Sequence, residues 1–169
     1  HEEVKEAIGI SNVEITANGT THYLTDRLNY RQFALLLGTD DSTAASIYRA
    51  YAYFSQSDSQ DGVSEVALFE ANKDIYTASI LDICDCAFGH DDFISAFLNG
   101  NDDLLDTYET LRDTINDAEA QLIGTNYTRV LFILDSDIES KQTFAMIENM
   151  REEVKAFCPQ AIFAGDSMS

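Results

Sequence analysis

From Asn29 to Leu122 the apolar residues recur mostly at spacings of three and four, the pattern of amphipathic helices. Asn29 is placed to cap a helix over 30–37 that Gly38 closes. Asp41 or Ser42 starts the next helix, with Ala44, Ile47, Tyr48 and Tyr51 on one face. After a polar loop from Ser55 to Gly62, Ser64 opens a long helical segment with Val66, Phe69, Tyr76, Ile80, Ile83 and Ala87, ended by Gly89. A short helix around Phe93 to Leu98 leads to Asn99-Gly100. Asn101 then precedes a further long helix, whose residues Leu104, Tyr108, Leu111, Ile115, Ala118 and Leu122 follow an unbroken 4-3-4-3-4 seam. Two seams joined by a short capped connection predict an antiparallel helical hairpin.

The flanks carry a different pattern. Glu2 to Ile8 reads as the end of a helix stopped by Gly9, and Ile10 to Ala17 as a short strand before an Asn18-Gly19 turn. Thr128 to Leu134 is a continuous apolar run, which predicts a strand buried on both faces. Asp137 or Ser140 starts a helix with Phe144, Ile147, Met150, Val154 and Phe157 on its apolar face, and Pro159 ends it. Ala161 to Ala164 reads as a second strand, giving a βαβ unit. The predicted fold class is α+β: a small ferredoxin-like βαβ sheet with a large helical insertion between its two halves. Residues 1–20 and 125–169 form the α/β part, and 21–124 the inserted helical part.

Composition narrows the partners. Thirty acidic against ten basic residues give the 169-residue chain a net charge of −20. Phosphate backbones bind through Lys and Arg, so nucleic acid is excluded as a partner. The same charge opposes attraction to anionic lipid, and the expected surface is acidic and well solvated. No apolar run reaches the roughly 20 residues that cross a bilayer. Cys84, Cys86 and Cys158 are too few for a disulfide framework and are expected as buried thiols.

The C-terminal motifs resemble a known family. Asn126-Tyr127-Thr128-Arg129 followed by Val130 to Leu134, Glu139-Ser140 with Thr143-Phe144-Ala145, then Ile147-Glu148 and Arg151, are similar to MMPL-type transporters of Gram-positive bacteria, in the RND superfamily. The ending Gly165-Asp166-Ser167-Met168-Ser169 fits that pattern, as does Leu28-Asn29-Tyr30-Arg31-Gln32-Phe33-Ala34 with Leu36-Leu37-Gly38, where Asn29 replaces a capping Thr. The resemblance covers about half the chain. It implies a porter-like soluble domain on the extracytoplasmic face of the bacterial membrane, without catalysis of its own. Its partners would be the remainder of the parent transporter and an exported lipid-like or hydrophobic cargo. No cofactor and no metal is implied. Tyr48, Tyr51 and Tyr53 are the candidate contact patch, since aromatic residues are enriched at interfaces.

Other motifs point elsewhere. Gly165-Asp166-Ser167 after a strand mimics the nucleophile block of GDSL-type hydrolases, which makes a serine hydrolase using Ser167 the alternative function. Those enzymes place the block early and complete the site with later residues, whereas only two residues follow Ser167 here. Cys84, Asp85, Cys86, His90 and Asp91 collect zinc-ligand types at a spacing unlike paired structural sites. Asp58, Asp61 and Gly62, and Asn101, Asp102 and Asp103, lack the alternating ligands of a calcium loop. His22 and His90 have no Ser or Cys at a recognisable spacing, and Asn18-Gly19-Thr20 and Asn126-Tyr127-Thr128 are sequons of a kind common by chance.

Overall fold

A computed structural model describes residues 4–55, 64–90, 92, 101–134 and 140–164. The protein is mixed α+β with small antiparallel sheets. It divides into two compact units, one made of residues 1–8 and 131–169 and the other of 9–130. Residues 9–20, expected with the chain ends, belong to the larger unit.

In the larger unit, β2 (Glu14–Ala17) and β3 (Thr20–Tyr23) form an antiparallel hairpin with Ala17 opposite Thr20. Asn18 and Gly19 turn it at φ of 49° and 77°, the left-handed values a two-residue hairpin turn needs. Helix α1 (Tyr30–Leu37) starts as expected: the Asn29 side chain accepts from the Arg31 and Gln32 amides, and Gln32 returns a bond to the Asn29 amide. Gly38, at φ 68°, closes it in the left-handed conformation. Helix α2 (Asp41–Phe54) is capped one residue earlier than expected, by Asp40, whose carboxylate accepts from the Ser42 and Thr43 amides.

The long helix expected from Ser64 to Ala87 is broken in two. Helix α3 (Glu65–Ala71) ends where the Asn72 side chain donates to the Leu68 carbonyl, and α4 (Ile80–Phe88) begins where the Ser79 hydroxyl accepts from the Asp82 amide. Asn and Ser side chains compete for backbone hydrogen bonds, so they make helix ends where the apolar spacing alone shows none. Between them β5 (Ala78–Ser79) pairs with β4 (Arg27–Leu28). Helix α5 (Asp102–Leu122) keeps its seam, with Leu104, Leu111, Ile115, Ala118 and Leu122 all buried. Instead of one long antiparallel partner, α5 lies against α4, α1 and β2.

The core centres on Tyr48. Its ring meets Phe33, Phe69 and Tyr76 at centroid distances of 5.7, 6.0 and 6.3 Å. Leu24, Leu28, Leu36, Ile47, Ile80 and Ile83 are buried in the same unit.

The apolar run expected as one strand is also divided. Ile123–Gly124 (β6) and Tyr127–Thr128 (β7) make a small hairpin, and Arg129 donates its amide to the Leu122 carbonyl. The chain re-enters the smaller unit after it, at β8 (Leu131–Leu134). Its partner is β1 (Val4–Ile8), expected as a helix end, in an antiparallel ladder that sets Ile8 opposite Leu131. Val4 and Ile8 satisfy both a helical i,i+4 spacing and a strand face, and pairing with an apolar strand decides between them.

Helix α6 (Lys141–Phe157) is capped by Ser140 and buries Thr143, Met146 and Met150. That stripe is rotated from the expected face: Phe144 is 46% and Phe157 93% exposed. Phe132, expected in the core, is 40% exposed on the β1–β8 ladder, which has only two strands among the described residues. Val130, also expected buried, is exposed beyond the end of β8. Residues 161–164, expected as a second strand, form none, so the parallel βαβ crossover is absent among the described residues.

Candidate functional site

The three tyrosines of the expected contact patch occupy three environments along α2. Tyr48 is fully buried and donates its hydroxyl to the Leu28 carbonyl at 2.6 Å, so it belongs to the core and is removed from the patch. A helix turns about 100° per residue, which carries Tyr51 to the rim and Tyr53 to the surface. Tyr51 is half-buried, and burial, with the nearby Asp82 carboxylate, raises its hydroxyl above the usual range. Tyr53 is 65% exposed. Its ring packs edge-on against Phe54 at 5.2 Å, and Phe54 stacks on His90 at 4.2 Å. The accessible aromatic surface therefore runs Tyr53–Phe54–His90, and neither Phe54 nor His90 was part of the expected patch. An aromatic ring beside Tyr53 in sequence is a legible signal; the stacking of His90, from the far end of α4, is not.

A second surface feature lies where α1, α2 and α3 meet. A shallow groove of about 290 Å³ is lined by Tyr30, Asp41, Ser42, Ala45, Ser46, Arg49 and Lys73. Its cations are already neutralised: Arg49 and Lys73 both bind Glu70, the latter at 3.0 Å, and Arg31 bridges Asp41 and Asp74 at 3.6 and 3.0 Å. Hydrogen bonds from Arg49 and Lys73 hold the Glu70 carboxyl below its ordinary range. The groove thus presents ion pairs rather than free charge.

The cysteine-rich stretch keeps its thiols protonated. Burial pushes Cys84 up to about 12, and raises Cys86 in the same direction. No group of three or more His, Cys, Asp or Glu side chains that could hold a metal occurs among the described residues. Cys158 is exposed, against the expectation of a buried thiol, because it follows the last turn of α6. Asp85 is raised to about 6, by burial first, then by Glu119 of α5 and Asp82 one turn back. Asn101 caps α5 by accepting from the Leu104 amide at 3.2 Å. His22 sits 3.5 Å from the Asp26 carboxylate. Ser167, Asp91, Asp58, Asp61, Gly62 and the helix expected at Phe93 to Leu98 lie outside the described residues.

No protein-family model matches the chain, and no similar protein or solved structure was found among the curated proteins and solved structures searched. Among the described residues, no helix is long and apolar enough to cross a membrane.

Proposed function

We propose that the chain is a non-enzymatic, extracytoplasmic domain of an RND-superfamily exporter of the MMPL type, contributing to the substrate path or to contacts with the rest of the transporter. The reading rests on the sequence resemblance, and one observation carries it furthest. β1 and β8 pair in an antiparallel ladder across more than a hundred residues of sequence, with α6 following β8. Antiparallel pairing is the relation between the second and third strands of a βαββαβ plan. In this reading the unit of β1, β8 and α6 is porter-like and ferredoxin-like, and 9–130 is an insertion between those two strands. The exposed Phe132, Phe144 and Phe157 suit a domain whose apolar surfaces meet other parts of a larger protein. The two best-matching motifs also coincide with helix starts that their own residues cap, Asn29 with Gln32 and Ser140 with Thr143.

Cys158 supplies the test, because it is exposed while Cys84 is buried. In the full-length parent protein carrying Cys86→Ala, a membrane-impermeant maleimide should label Cys158 on intact cells. Labelling that appears only after lysis would place the domain inside the cell and overturn the proposal.

A further inference from the structure

The Asn18-Gly19 turn does more than reverse the chain. The Asn18 side-chain amide donates through Nδ2 to the Leu36 carbonyl at 2.9 Å, tying the tip of the β2–β3 hairpin to the last turn of α1. Leu36 lies in that turn, whose carbonyls have no partner within the helix. Next to it Gly38 leaves room for the Asn18 side chain: a Cβ at Gly38 would stand 2.8 Å from Asn18 Cγ, Nδ2 and Oδ1. One side-chain amide thus latches the tip of the hairpin to α1. Gly19 is exposed, and the space where its Cβ would be is open to 4 Å.

We propose that Asn18 is a modification site, where hydrolysis of the side-chain amide opens this latch. The Gly19 backbone nitrogen, giving up its proton, attacks Asn18 Cγ. The new N–Cγ bond replaces the Cγ–Nδ2 bond, and Nδ2 leaves as ammonia. Water then opens the resulting five-membered ring to an aspartyl or isoaspartyl residue. Water is the only co-reactant, and nothing is oxidised or reduced. Glycine at position 19 favours the step because no side chain shields the attacking nitrogen. The product carries a carboxylate, which has no hydrogen to donate. It faces the Leu36 carbonyl at the negative end of the α1 dipole, so the bond is lost and repulsion takes its place. The change runs one way, and it loosens the hairpin without cutting the chain. This inference does not depend on the transporter reading.

The test ages the intact, folded chain at mildly alkaline pH and 37 °C, then maps peptides for the mass gain of an amide turned into an acid. The expected result is conversion at Asn18, with aged molecules melting several degrees lower and exchanging the amide protons of 14–23 faster. A second arm makes Asn18→Asp, which should reproduce the lower melting temperature and the faster exchange. Asn18 that stays intact in the folded chain, while an unfolded sample converts, overturns the proposal. So does converted protein that melts and exchanges like fresh protein. If Asn18→Asp does not fold, the aged wild-type chain, which starts folded, decides alone.

Discussion

The Tyr48 hydroxyl donates to the Leu28 backbone carbonyl at 2.6 Å, across twenty residues of sequence and inside the core. Leu28 belongs to β4, which pairs with β5 just before α4 begins, so one side chain of α2 holds the small sheet in place. Burial raises the Tyr48 hydroxyl well above its ordinary range, which keeps it a donor at all working pH values. Tyr48→Phe should cost about 1–3 kcal/mol, because the Leu28 carbonyl is left buried without its partner. Tyr48→Ala should cost about 3–5 kcal/mol, through the cavity among Phe33, Phe69 and Tyr76. Urea unfolding of both variants checks the order: a Tyr48→Phe variant as stable as the parent would mean the hydrogen bond is worth nothing, and equal costs would mean the ring adds nothing beyond its hydroxyl.

Gly38 and Gly89 both close helices, yet they should respond differently to alanine. Gly38 is left-handed at φ 68° and its Cβ would strike the Asn18 side chain. Gly89 has an ordinary right-handed backbone, and its Cβ would lie 3.5 Å from the Asp85 carbonyl, a normal contact. Gly38→Ala should lose about 1–2 kcal/mol from the backbone alone, and more from the collision. Gly89→Ala should be near neutral or slightly stabilising. Thermal melts of the pair separate the two cases.

Asp85 makes stability depend on pH in an unusual direction for a carboxylate. Its folded value, raised to about 6 by burial, Glu119 and Asp82, lies above the ordinary 3.8. Between those values the folded chain holds a proton that the unfolded chain has released. Stability attributable to this group therefore falls as pH rises through the window and stays low above it. Asp85→Asn should flatten that fall, making the gap in melting temperature between pH 4.5 and 7.5 smaller than in the parent. An unchanged gap would show that Asp85 titrates normally.

Phe144 and Leu111 test the burial of the two units. Leu111 is buried in the α5 seam, and Leu111→Ala should cost about 2–5 kcal/mol. Phe144 is nearly half exposed, so Phe144→Ala should cost clearly less than the about 3–5 kcal/mol of a core phenylalanine. The shift in urea midpoint measures each, and a larger loss at Phe144 would mean that it is covered.

How much of this was legible follows from which forces act locally. The caps at Asn29, Gly38 and Asn101 depend on residues within one turn, and the sequence carries them openly. The α5 seam is equally plain, because its five buried positions repeat over five turns. The break between α3 and α4 was not, since the apolar spacing from Phe69 to Ile83 continues through it while Asn72 and Ser79 end the helices by bonding backbone. Val4 to Ile8 became a strand through a partner more than a hundred residues away, which no local pattern contains. At the aromatic patch the residue type was legible and the depth was not: Tyr48, Tyr51 and Tyr53 look alike until the rotation of α2 is fixed.

Ile8 faces Leu131 across the β1–β8 ladder, and Gly9 lies beside Val130, where an added Cβ would stand 3.6 Å from Val130 Cγ2. The stretch between therefore departs and returns at one spot, spanning no more than the spacing of two neighbouring strands. To the ladder, everything between is equivalent to a turn. Helices can be gained, shortened or exchanged there over evolutionary time without shifting the register of the strands that carry them. A laboratory graft can use the same seam, replacing 9–130 by a short hairpin loop, or moving it whole onto another antiparallel pair.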